Sequence, residues 1–222
     1  MESSDSLFAT FKKLAESFTH LIEEEGIVFR PYANPHLIHF SRLSRAEQED
    51  VVTRVSMYVL TCVNMKQKRL SMTNNRLFVE TYLNTAGLYA RPEDLDLIQD
   101  EHFVEIYNRN GMHLFRSLNI LEISSYTFED LCCRQWQHLY ERPADQQEKI
   151  LAAATHFFQL KNPTRQETSL PFHVIEKDTL ERLIYDAETK WLIPVFRDDS
   201  FEAALTILLD RNPEVLPQFF KP

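Results

Sequence analysis

The 222 residues carry 24 lysines and arginines against 33 aspartates and glutamates, a formal net charge of −9. So acidic a chain lacks the positive field behind most nucleic-acid affinity, and its 44% hydrophobic content with 16 phenylalanines describes a buried core rather than a disordered tail. Its three glycines, Gly26, Gly87 and Gly111, cannot spell a glycine-rich phosphate loop, which excludes Rossmann-type and P-loop nucleotide binding. No apolar run approaches the ~20 residues of a membrane-spanning helix. The opening MESSDSLFATFKK has acids where a secretory signal needs basic residues. Three cysteines, two of them adjacent, make a poor disulfide framework. The expectation is a cytoplasmic protein with reduced thiols that binds neither membrane nor nucleic acid. The one short basic cluster, KQKR at 66–69, reads as a solvated helix end.

Residues 5–25 form the first predicted helix, with Leu7, Phe8, Phe11, Leu14, Phe18, Leu21 and Ile22 at three- and four-residue spacing and Gly26 to end it. Pro31 and Pro35 break IVFRPYANPHLIHF (27–40), which is read as extended and loop-like. Ser44 and Glu47 make a capping box for a helix to about residue 68. A third helix runs from Asn75 to Ala86 and stops at Gly87, and Pro92 opens a short fourth one.

The character then changes. HFVEIYN alternates as a strand does, NRNG (108–111) turns, and MHLFR returns. Short helical pieces fill 117–141, and ADQQEKILAAATHFFQL (144–160) is a helix with Ile150, Leu151, Ala154, Phe157 and Phe158 on its apolar side. FHVIEK, ERLIYD, KWLIPVFR and, after a DDS turn, FEAALTILLD are read as β segments. The order predicts an α+β fold: an N-terminal helical region (1–99), then an antiparallel sheet with helices on one face (100–212), then a tail (213–222).

The middle of the chain carries SYTFEDLCCRQWQHLYERPAD (125–145). Asn119, Tyr126-Thr127, the acidic pair and leucine Glu129-Asp130-Leu131, then Arg134, Trp136, Pro143 and Asp145 follow one another as the elements of a loose sensory-domain pattern do. Together with IPVFRDDSFEAALTILLDRN (193–212), this order over residues 101–212 resembles the PAS superfamily. Ser125 and Cys133 stand where that pattern usually has glycines. The first hundred residues resemble no family.

Several side chains invite chemistry. In the flavin-binding members of the resembled family a cysteine reacts with the ring; Trp136 occupies that slot, and Cys132 and Cys133 fall too early, so flavin is disfavoured. Zinc needs further spaced ligands, and His138 alone is near. Adjacent cysteines are read as small apolar fillers. His36 and His39 have metal-like spacing, but the prolines around them point to turn and packing roles. The resemblance also allows haem through His156; a plain hydrogen-bonded histidine is the alternative. No HExxH, nucleophile elbow or kinase signature occurs.

The resemblance implies a sensory or regulatory protein, not an enzyme. An apolar pocket between sheet and helices would take a small ligand or a partner protein and pass the signal through flanking helices to a separate output protein. Ile106, Ile120, Ile123, Phe128, Trp136, His156, Phe157, Leu192 and Leu205 are the pocket candidates. The stripe on residues 7–22 would serve a homodimer or pack on its own chain, with the dimer preferred. The alternatives are a ligand-free protein-interaction adaptor of the same fold and a small enzyme whose site residues are scattered.

Overall fold

A computed structural model describes residues 4–176, 182–210 and 218–220. Helix α1 (Ser4–Glu23) buries Phe11, Ala15, Phe18 and Ile22, four residues spaced four, three and four apart. Helix α2 (Arg45–Gln67) begins where the capping box was expected: the Ser44 hydroxyl accepts from the Glu47 N–H, and the Glu47 carboxylate accepts from the Ser44 N–H. Helix α3 (Asn75–Ala86) is capped by the Asn74 side chain and ends at Gly87 with φ +65°, a left-handed geometry that glycine adopts without strain. Pro92 opens α4 (Pro92–Leu95).

The second half alternates differently. Strands β1 (Phe103–Asn108) and β2 (His113–Arg116) form the hairpin. Short helices α5 (Leu118–Ile123), α6 (Phe128–Cys133) and α7 (Trp136–Leu139) follow, then the two-residue strand β3 (Tyr140–Glu141) and helix α8 (Ala144–Gln159). The long strands are β4 (Gln166–Glu176), β5 (Arg182–Arg197) and β6 (Ser200–Asp210), with β7 (Gln218–Phe220) in the tail. All pair antiparallel in the order β2-β1-β6-β5-β4-β3, and β7 joins β5 at Arg182–Ile184. The fold is therefore α+β, with helices preceding the sheet.

Two details differ from the sequence reading. ERLIYD and KWLIPVFR belong to one strand, because Ala187 and Thr189 are paired on both sides, to Phe172 and Leu170 in β4 and to Asp210 and Leu208 in β6. Those neighbours hold the polar run Asp186–Thr189 in the sheet, where its own composition reads as a turn. Strand β4 likewise starts at Gln166, well before FHVIEK. Lys177 and Glu181, at the ends of the expected segments, lie outside the described residues, as do 211–217 of the closing hairpin and tail.

The sheet has two unlike faces, set by strand alternation. Phe115, Ile106, Leu205 and Ile193 lie side by side across four strands and are all buried. This row meets the N-terminal helices: Phe115 packs its ring 5.4 Å from Tyr58, 4.9 Å from Phe78 and 5.1 Å from Tyr82. Phe18 of α1 stacks on Phe128 of α6 at 4.2 Å. The helical region and the sheet thus share one continuous core. Of the α1 stripe, Phe11, Phe18 and Ile22 are buried inside the chain, while Leu7, Phe8, Leu14 and Leu21 pack against the same core and stay partly exposed. Among the described residues no helix is long and apolar enough to cross a membrane.

Candidate functional site: a cavity beneath the long helix

Helix α8 lies over the other face of the sheet, and only Phe157 of its side chains is fully buried there. Its inward positions include Ala153 and Ala154, too short to reach the strands, so a cavity of about 530 Å3 remains between helix and sheet. That volume falls within the range of small-molecule sites. Trp136, Phe157, Phe158, Leu170, Leu192 and Leu208 supply the apolar wall.

The wall's position follows from local chemistry. Pro143 is the N-cap of α8, and Asp145 in its first turn complements the positive helix end, so the Pro-x-Asp element starts the helix that roofs the cavity. Trp136 sits against the β1–β2 turn, where a Cβ on Gly111 would lie 3.2 Å from the indole nitrogen, and Gly111 has φ +70°. Both facts favour glycine. Tyr126 donates its hydroxyl to the Leu139 carbonyl, and Arg134 lies 5.8 Å from the Tyr126 ring, which fixes the α6–α7 corner carrying Trp136.

The floor is polar. Glu105 lines the cavity and is 95% buried, opposite Arg116 in the ladder, whose Nη2 lies 2.5 Å from its Oε1. Tyr107 donates its hydroxyl to Glu105, and Arg116 donates to the Tyr140 hydroxyl at 3.0 Å. His113 Nε2 faces Arg116 at 2.5 Å and the Tyr107 hydroxyl at 3.0 Å. A guanidinium has no acceptor, so Nε2 must accept and the ring proton sits on Nδ1. Among the described residues that buried Nδ1 has no hydrogen-bond partner.

Burial alone would raise the Glu105 carboxyl, but Arg116, His113 and Tyr107 outweigh it and hold the group at about 2. Burial, then the charge of Arg116, pushes His113 down to about 4. Burial and the neighbouring Glu105 carboxylate keep Tyr107 protonated well above its ordinary range. At neutral pH the floor is a paired carboxylate and guanidinium with a neutral imidazole and phenols. Carboxylates and imidazoles so depressed are weak bases, which favours binding over proton abstraction.

His113 gives a testable pH dependence. Its folded value lies below the ~6.5 of an unfolded histidine, so between those values the unfolded chain binds more protons and stability is lost as the pH falls. Between pH ~6.5 and about 4 the loss should be on the order of 2–3 kcal/mol. Urea midpoints across that range check it. His113→Gln should flatten the slope; an equally steep slope in the variant would assign it elsewhere.

The structure separates the pocket candidates. Trp136, Phe157 and Leu192 line the cavity. Ile106 and Leu205 face the helical core, because the strand period of two puts their neighbours Glu105, Tyr107, Ala204 and Thr206 on the cavity side. Ile120 and Phe128 are buried in the helical core, and Ile123 packs against it. His156 is exposed on the outer side of α8, one residue and therefore about 100° from the buried Phe157, so it does not meet Trp136 in the cavity. Glu105, Tyr107, Tyr140 and Arg109 line the cavity without having been anticipated. The available signal was Glu105 between Val104 and Ile106, a charged residue at an inward strand position.

The cysteines and His39 have packing partners. Burial raises the Cys132 thiol to about 12, and Cys133 and Cys62 are raised as well, so none is a thiolate at neutral pH. His39 places Nε2 3.0 Å from Asp130, and its backbone N–H donates to buried Glu129 at 2.7 Å; His36 is exposed. Among the described residues no cluster of histidine, cysteine and acids could hold a metal ion.

No protein-family model matches the chain, and no curated protein matches it in sequence.

Proposed function

We propose that this protein is a PAS-like sensory or regulatory protein that binds a small, largely apolar molecule beneath α8. The cavity of about 530 Å3 between α8 and the sheet carries this reading. The chain order supports it too: a hairpin, short helices, one longer helix and three antiparallel strands. Signal output to a partner protein belongs to the same proposal.

A route for the signal is built into β2. Its His113 and Arg116 side chains meet Glu105 on the cavity side. From the other side, Arg54 of α2 donates to the His113 carbonyl at 2.9 Å, and Tyr58 of α2 donates to the Arg116 carbonyl. A ligand that moves the floor moves the strand that α2 holds.

Calorimetric titration with naphthol, a compact aromatic probe, tests the binding half of the proposal. Saturable one-to-one binding is expected. No heat and no displacement of the thermal midpoint would overturn it.

A further inference from the structure

The charges around the cavity define the ligand more narrowly. Among the described residues, Glu105, Arg109 and Arg142 are the charged side chains that line it. Glu105 is already neutralised by Arg116 at 2.5 Å, so the floor offers no net charge to a ligand. Arg109 differs. It stands on the turn at the rim, donating Nη1 to the Phe158 carbonyl at 3.0 Å and Nη2 to the Phe201 carbonyl at 2.8 Å. Both partners are neutral, so they fix the guanidinium in place without cancelling its charge. Its plane is further held 5.8 Å from the Phe158 ring and 5.0 Å from the Phe201 ring.

The same turn adds a second donor. Asn108 Oδ1 accepts from the Asn110 and Met112 N–H groups, each at 3.0 Å, which leaves its amide NH2 to donate. The rim is therefore cationic and offers donors, while the wall beneath α8 is apolar and aromatic above a charge-paired floor.

We infer, resting on the cavity reading above, that the ligand is an amphipathic monocarboxylate, its apolar body under α8 and its carboxylate at the rim beside Arg109 and Asn108. A guanidinium presents its donors as a fork that matches a planar carboxylate, and its preordering by two carbonyls and two rings removes most of the entropy cost of using it. A cationic ligand would face the same Arg109 charge, and among the described lining residues the one carboxylate, Glu105, is already paired.

Calorimetry of the full chain with three probes of one aromatic body decides the matter: naphthoate, naphthol and naphthylmethylammonium. Naphthoate should bind about tenfold tighter than naphthol, as expected for one charge-assisted pair, and the ammonium should bind weakest. Arg109→Gln should shrink the preference for naphthoate over naphthol severalfold, the ratio of the two affinities being the readout. Naphthol binding as well as naphthoate, or the ammonium binding best, would overturn the carboxylate assignment while leaving the cavity reading intact. Binding of none of the three would overturn the cavity reading itself. The ranking in the unmodified chain needs no variant, so it decides even if Arg109→Gln loosens the end of α8.

Discussion

Phe115→Ala should destabilise the whole chain by about 3–5 kcal/mol, the usual cost of emptying a phenylalanine site in a packed core. Phe115 is 1% exposed and is the sheet residue around which Tyr58, Phe78 and Tyr82 from two N-terminal helices gather. Its removal takes aromatic contacts from both halves at once. Urea unfolding followed by far-ultraviolet circular dichroism should therefore shift as a single transition. Leu60→Ala on the same helix as Tyr58, at a position 47% exposed, should change stability by only about 0.5 kcal/mol. Two separate transitions, or a loss below ~1 kcal/mol, would mean that the helical region and the sheet do not share a core.

The second large effect concerns the cavity floor. Arg116→Met leaves the Glu105 carboxylate buried without its counter-charge and removes the donor to Tyr140, at an expected cost of about 3–5 kcal/mol at neutral pH. Burial then acts on Glu105 without Arg116 to oppose it, so its folded value moves up instead of down. A group with a raised folded value gains protonation on folding, so the penalty should shrink as the pH falls below neutral. Adding Glu105→Gln should recover much of the loss, since it removes the charge left unpaired. Denaturant midpoints of the four proteins at two pH values read the cycle. Equal costs at both pH values, or a double variant no better than Arg116→Met, would show that the pair does not act as a unit.

How much of this was legible in the sequence depends on the range of the forces involved. The α1 stripe, the Ser44–Glu47 box, the Gly87 stop and the start of α8 at Pro143 are local chemistry, and the structure has them where the spacing placed them. The single long β5 was not legible, because Asp186–Thr189 is kept extended by strands on either side.

The cavity was legible only in part. Trp136, Phe157 and Leu192 come from the quoted motif, the apolar helix and a late strand, and they do converge. Ile106 and Leu205 are as apolar as any pocket residue, yet they face the helical core. In this sheet the better-packed face takes Phe115, Ile106, Leu205 and Ile193, and the cavity face mixes polar residues with Leu170, Leu192 and Leu208. The charged floor needed strand register as well as strand identity, because Glu105 and Arg116 meet only through the β1–β2 pairing.

The claim on which the rest depends is that the space beneath α8 is a binding site. Filling it is the most direct test. Ala154 lines the roof, away in sequence from the paired floor, so Ala154→Trp is expected to place an indole in the cavity. The variant should keep or raise its thermal midpoint, since it replaces empty space with contacts. Its affinity for naphthol should fall at least tenfold, on the order of one lost aromatic contact surface. A well-folded Ala154→Trp protein that binds naphthol as tightly as the original chain would contradict the account.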